Sequence, residues 1–321
     1  VIKKVSIIAK NTFVETIRQP VYAVILAFAL FLFVLSPSIA MYTLDEDIKL
    51  LREIGLSTLF LTGLFIAIFS ASGAVAEEID SKTITTVLSK PVRRPSFIIG
   101  KFLGVLSAVG LAHYIGTIAM FLSIRHGVLE TASDTHDWTV ITVAASVAVL
   151  ALLLSAFFNY SYDWSFTSTA ILLTALFSTI GMAFLFFIDR HWEFNPSHNG
   201  FTLFDLNASV LLFLAVMILI ALAVMFSTRF NIVLTLIFCI VIFLVGLING
   251  WAFGRFVDQH WWAQIGRMVF PDLQAFWISD AIYEDSSVPA NYLGMTALYA
   301  TLYTSGILAF AIALFQKRQV G

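Results

Sequence analysis

The chain has 321 residues, 60% of them hydrophobic and only 12% charged, with a mean hydropathy of +0.92 and a formal net charge of -2. A soluble domain carries about 25% charged residues, so half that fraction, gathered between long apolar runs, excludes an ordinary globular enzyme and places the chain in a bilayer. Cys239, the single cysteine, lies inside an apolar run, which rules out a disulfide within the chain.

The first residues do not read as a secretory signal, because the apolar stretch between Lys4 and Lys10 is too short for an h-region. Ile2, Val5, Ile8, Ala9, Phe13 and Ile17 instead recur at helical steps, with Lys3, Lys4, Lys10, Asn11 and Arg18 elsewhere on the wheel. This predicts an interfacial helix over residues 1–19, its cations toward lipid phosphates, each worth about 1 kcal/mol; an ordinary charged tail is the alternative. Pro20 suits the turn into a first span.

Crossing a bilayer core takes about 20 apolar residues. Pro20–Tyr42, Gly55–Ala76, Phe97–Ser123, Trp138–Phe158, Ser165–Ile188, Asn207–Phe226, Ile232–Phe253 and Asn291–Phe315 qualify, predicting an all-α polytopic bundle of about eight spans within residues 20–318. Only "NYSYDW" (Asn159–Trp164) parts the fourth from the fifth. A hairpin over residues 138–188 is the reading there, since one continuous helix would overrun any bilayer. Pro37 should bend the first span, either to fit its neighbours or as a gating hinge.

Lysine and arginine placement sets orientation. With the N-terminus inside, Lys3, Lys4, Lys10, Arg18, Lys82, Lys90, Arg93, Arg94, Lys101, Arg229, Lys317 and Arg318 fall inside. Lys49, Arg52, Arg125, Arg190, Arg255 and Arg267 fall outside. Both termini are thus expected in the cytoplasm. Six of the seven tryptophans (Trp138, Trp192, Trp251, Trp261, Trp262 and Trp277) then lie near the outer interface, as in an aromatic belt.

The predicted inner loop, residues 77–96, interrupts the apolar pattern. Glu77, Glu78 and Asp80 end the second span, and Asp80 or Ser81 can cap a short helix. Ile84, Val87 and Leu88 form its apolar stripe, Lys82, Thr83, Thr86 and Ser89 stay polar, and Pro91 ends it. Arg93 and Arg94 can reach lipid headgroups. So small a stripe fits a groove on a soluble partner; a solvated, topology-setting loop is the alternative.

Within the hydrocarbon region His113, beside Tyr114, is the one ionisable side chain. A neutral, hydrogen-bonded histidine is the reading. The lack of buried carboxylates argues against an ion-coupled carrier. His126, His136, His191, His198 and His260 come from separate predicted outer loops without ligand spacing, so no metal site is expected. Asp134, His136 and Asp137 are the only close set a lipid-modifying transferase could use, and they read as a capping loop before Trp138. Gly246, Gly250 and Gly254 repeat at four-residue steps, a pattern that lets helices approach closely within the subunit or at a dimer seam; Gly100 and Gly104 repeat it once. In the long segment 255–290, Leu273, Phe276 and Trp277 share a helical face, predicting a short helix in the outer leaflet.

Four stretches in this order carry a resemblance. "EEIDSKTITTVLSKPVRRPSFIIGKFLG" resembles the acidic start, coupling helix and third-span entry of type 2 ABC transporter permeases, the subgroup with separate ATPase subunits. The N-terminal helix resembles that family's elbow. "ALAVMFSTRFNIVLTLIFCIVIFLVGLI" is similar to its paired spans with a tight inner turn, and Phe270–Val320 resembles its outer re-entrant segment, final span and basic tail. The hairpin at 138–188 departs from the commonest six-span form and looks like an addition.

The resemblance implies a permease subunit of an ATP-driven exporter in the inner (plasma) membrane, pairing with a second copy or a paralogue. Ile84, Val87 and Leu88 would dock on a cytoplasmic ATPase, with Asp80, Lys82 and Arg93 setting register. The partner would bind ATP and Mg; no cofactor is expected in this chain. It has no phosphate loop, since "IIGKF" lacks the upstream glycine, and so is not expected to hydrolyse ATP. Membrane lipids are expected partners and nucleic acid is not. The alternative of another class is a scaffold, maturation or motility component that delivers force without a transported solute.

Overall fold

The computed structural model describes residues 2–41, 47–77, 93–129, 135–196, 199–278 and 288–316. Among them the chain is helical, with no strand beyond one bridge between Ile188 and Phe194. The helices are α1 (Ile2–Arg18), α2 (Pro20–Ala40), α3 (Asp47–Ala71, running into a π-helical turn Ser72–Glu77), α4 (Arg94–His126), α5 (Trp138–Tyr162), α6 (Phe166–Phe187), α7 (Leu203–Ser227), α8 (Ile232–Leu247), α9 (Asn249–Ala252), α10 (Trp261–Val269) and α11 (Ala290–Gln316). Seven of these segments are long and apolar enough to cross a membrane, and an eighth is added if α8 and Asn249–Phe256 count as one bent span. A polytopic helical bundle is the fold.

The chain forms two compact units: Val1–Thr16 with Leu64–Val109 and Val210–Gly321, and Ile17–Gly63 with Gly110–Ser209. In the second unit, Pro20 opens α2 after an extended Gln19. Tyr22, Leu26, Ala29, Phe33, Ser36 and Ala40 then form one buried stripe, while Val24, Phe28, Phe31 and Val34 stand exposed on the other side. This one-sided burial is what a lipid-facing helix requires. Pro37 lies in the last turn of α2, and the helix continues through it to Ala40.

Glycines set the packing of α2, α3 and α4 there. A Cβ on Gly55 would lie 2.8 Å from Met120 Cγ, and one on Gly116 would lie 2.8 Å from Leu59 Cδ2. The hairpin of α5 and α6 closes through Asp163, in the left-handed region at φ 54°, which an aspartate tolerates. Asn159 donates to the Trp164 carbonyl across the turn at 2.6 Å.

In the first unit, α7 and α8 are joined by a tight turn: Arg229 and Phe230 donate their amides to the Phe226 carbonyl, and Asn231 caps α8 by accepting from the Leu234 amide at 3.0 Å. The seventh apolar run differs from its reading as one span. It bends by 67° at Ile248, where buried Asn249 donates to the Phe270 carbonyl at 2.7 Å. Because of that bend Gly246, Gly250 and Gly254 do not share one helix face. A Cβ on Gly246 would lie 2.8 Å from the Pro271 carbonyl and 2.9 Å from Leu273, whereas one on Gly254 would meet nothing within 4 Å among the described residues.

The helix expected at Leu273–Trp277 is also corrected. Only the 3-10 turn Gln274–Phe276 stands there, with Leu273 and Phe276 buried, and the short helix of this segment is α10. Three tyrosines of α11 hold the segment. Tyr292 and Tyr303 donate to the Ala275 and Val269 carbonyls, and Tyr299 accepts from the Asp272 amide.

Candidate functional site: the mount of residues 78–92

Of the residues singled out for partner docking, Glu78, Asp80, Lys82, Thr83, Ile84, Val87, Leu88 and Pro91 lie outside the described residues. What the structure gives is the mount on which they are carried, all of it within the first unit. The leaving arm is the π-helical turn Ser72–Glu77. Ala74, Val75 and Ala76 are buried there, and Ser72 Oγ lies 3.4 Å from Ser227 Oγ at the end of α7.

The returning arm begins at Arg93 and enters α4 at Arg94. Arg94 Nη1 donates to the Phe315 carbonyl at 3.0 Å and the Gln316 carbonyl at 2.6 Å. Arg229 Nη2 donates to the Leu314 carbonyl at 2.7 Å. Two arginines thus donate to three consecutive carbonyls in the last described turn of α11. Phe315, fully buried, stacks on Phe97 at 5.6 Å between centroids, and the Arg94 guanidinium lies 5.7 Å from the Phe315 ring. Arg94 is therefore engaged with the end of α11 inside the subunit.

Farther along α4, Gly100 and Gly104 meet α1. A Cβ on Gly100 would lie 2.7 Å from Ile8 Cβ, and one on Gly104 would lie 2.5 Å from Thr12 Cβ and 2.7 Å from the Ala9 carbonyl. These distances leave no room for a side chain, so α1 is seated directly on the α4 backbone. At 1.5 Å per residue, Gly100 is about 9 Å along the axis from Arg94. The start of α4 is thus fixed to α11 by hydrogen bonds and to α1 by close backbone approach. A displacement of residue 93 is passed to both.

Two further polar groups lie in the second unit. His113 Nε2 is 3.0 Å from both the carbonyl and the Oγ of Ser209, and Thr117 Oγ1 is 2.6 Å from the same hydroxyl. This is the hydrogen-bonded histidine expected from sequence. At the end of α4, Arg125 donates to the Leu185 and Ile188 carbonyls, to Thr139 Oγ1 and to Asp137, while Asp137 caps α5 through the Thr139 and Val140 amides. Arg190 pairs with the same carboxylate at 3.5 Å. Asp137 is thereby fully used in holding the hairpin, and Asp134 lies outside the described residues. Sequence reading missed this clamp and the Arg52–Asp205 ion pair at 2.9 Å. The signal was an arginine and an aspartate at matching ends of long apolar runs. Among the described residues no group of three metal-ligating side chains comes together.

These helices define a multi-pass helical membrane protein. Residues 6–162 match the family model described as ABC-2 family transporter protein, which supports an ABC-2-type permease. The match takes in α2, α3, α4 and α5 and ends at the last residue of α5. A membrane domain of this family has a transport-permease role, is not itself an ATPase and associates in general with an ATP-binding partner. No curated protein matches the chain.

Proposed function

We propose that the chain is the permease subunit of an ATP-driven exporter, paired with a second copy or a paralogue, with residues 77–96 as the element that a separate cytoplasmic ATPase grips. Ile84, Val87 and Leu88 enter a groove on that ATPase, with Asp80, Lys82 and Arg93 fixing register. The N-terminal helix lies along the cytoplasmic leaflet, and both termini face the cytoplasm of a cell whose plasma membrane holds the protein.

The observation that supports this reading is the way the loop is mounted. Its returning arm is tied to the end of α11 through Arg94 and to α1 through Gly100 and Gly104, so a pull on the loop is delivered to three helices at once. A loop serving only to set topology needs no such attachment.

Replacing Leu88→Asp puts a charge on the apolar stripe. A soluble ATPase co-purifying with the wild-type chain is expected to be lost from the variant, while the variant remains folded and membrane-inserted. If the variant retains the ATPase and stimulates its turnover normally, the docking assignment is wrong.

A further inference from the structure

The end of α4 and the entry to α5 bring together two histidines that are ten residues apart in sequence. His126 Nδ1 lies 3.0 Å from the Gly127 carbonyl, and His126 Nε2 lies 3.3 Å from His136 Nδ1. A carbonyl only accepts, so His126 carries its proton on Nδ1 and presents the Nε2 lone pair to its neighbour. Fixing one ring nitrogen by a bond to a backbone carbonyl is the usual outer support of a metal-ligating histidine.

The spacing is that of a coordination edge. Two nitrogens each about 2.0–2.1 Å from a tetrahedral zinc ion sit about 3.3 Å apart. His136 stands at the surface, with its ring edge-on to Trp138 at 6.0 Å. With no ion present His136 donates Nδ1–H to His126. Moving that proton to its own Nε2 turns both lone pairs inward without any change of charge.

We propose that His126 and His136 form a two-histidine site for a divalent first-row transition ion such as Zn²⁺, with water completing the coordination. Imidazole nitrogens suit zinc, copper and nickel, whereas calcium and magnesium take oxygen ligands. The Arg190 guanidinium, which donates to the His126 carbonyl at 3.0 Å, opposes a cation. The adjacent Asp137, paired to Arg190 and Arg125, offsets part of that charge. A bound ion ties the end of α4 to the entry of α5.

The test is a zinc titration of the full chain in detergent, purified without a histidine tag, against a chromogenic chelator. One zinc per chain is expected. Affinity should fall at least tenfold in His136→Ala and in His126→Gln, stay unchanged in His260→Ala, and show no competition from Mg²⁺. Should an alanine variant fail to fold, His136→Gln, which keeps a hydrogen-bonding group at the position, supplies the same comparison. Absence of stoichiometric zinc, or wild-type binding by the folded His136 and His126 variants, overturns the site and leaves a histidine–histidine hydrogen bond alone.

Discussion

Around residues 77 and 93 the chain is held by arginines bonded to a helix end and by glycine-sized gaps that admit another backbone. The hairpin of α5 and α6 is held otherwise. Its helices pack along each other, Gly181 receives Val143, and one end is clamped by Arg125 and Asp137. Most of its remaining surface is uncovered: 17% of the span window of each helix is buried, against 72% for the span that begins at Asp47. The difference teaches where sequence is constrained. Side chains of the hairpin need only be apolar to suit lipid. Those of the mount must have particular sizes and donors.

Three substitutions separate the two regions. The largest effect is expected at the clamp, where Asp137→Ala leaves the buried Arg125 without its carboxylate. Breaking a buried pair on one side costs about 3–5 kcal/mol, so the midpoint of thermal unfolding in detergent should fall steeply. A midpoint equal to wild type would mean that the hairpin is not fastened there.

Next comes Gly104→Val, which places a branched side chain where a Cβ already meets Thr12 and the Ala9 carbonyl. Overpacking of this kind costs about 1–3 kcal/mol. The expected signature is faster hydrogen exchange in α1 and weaker stimulation of the ATPase, with α5 and α6 unaffected. Normal exchange in α1 would show that the helix is not seated on α4.

Leu153→Ala, on the uncovered face of the hairpin, should change stability by less than about 0.5 kcal/mol, as exposed substitutions do. A loss comparable to that of Gly104→Val would reveal a protein neighbour on this face instead of lipid.

Much of the bundle was legible in sequence because a bilayer demands length and apolarity in one continuous run. The reading Phe97–Ser123 corresponds to α4, three residues short at each end, and Trp138–Phe158 to α5, four residues short at its C-terminal end only, where interfacial residues such as Arg94 and Tyr162 extend the helix without adding hydropathy. The break at Ile248 was not legible, because an apolar run does not report a bend. Asn249, buried and bonded to Phe270, was its only mark. The glycine spacing marked both Gly246, Gly250 and Gly254 and, once, Gly100 and Gly104; it is at Gly100 and Gly104 that the amphipathic α1 is admitted against the backbone of α4.

The helix α10 was missed for a related reason. Its small buried face, Ala263 and Gly266, alternates with exposed Trp261, Ile265 and Met268, so neither face looks like a core. Arg94 was read by its charge, which suits lipid phosphates. It also bonds backbone carbonyls far away in sequence, which no single-sequence pattern marks. The meeting of His126 and His136 depends likewise on how α4 and α5 are clamped.

The account rests on residues 78–92 standing on the cytoplasmic side as the point of attachment for a motor. The direct measurement is labelling of Lys82→Cys, in a Cys239→Ala background, with a membrane-impermeant maleimide. No labelling in intact cells and full labelling in inverted membrane vesicles is the predicted result; labelling of intact cells would contradict the account.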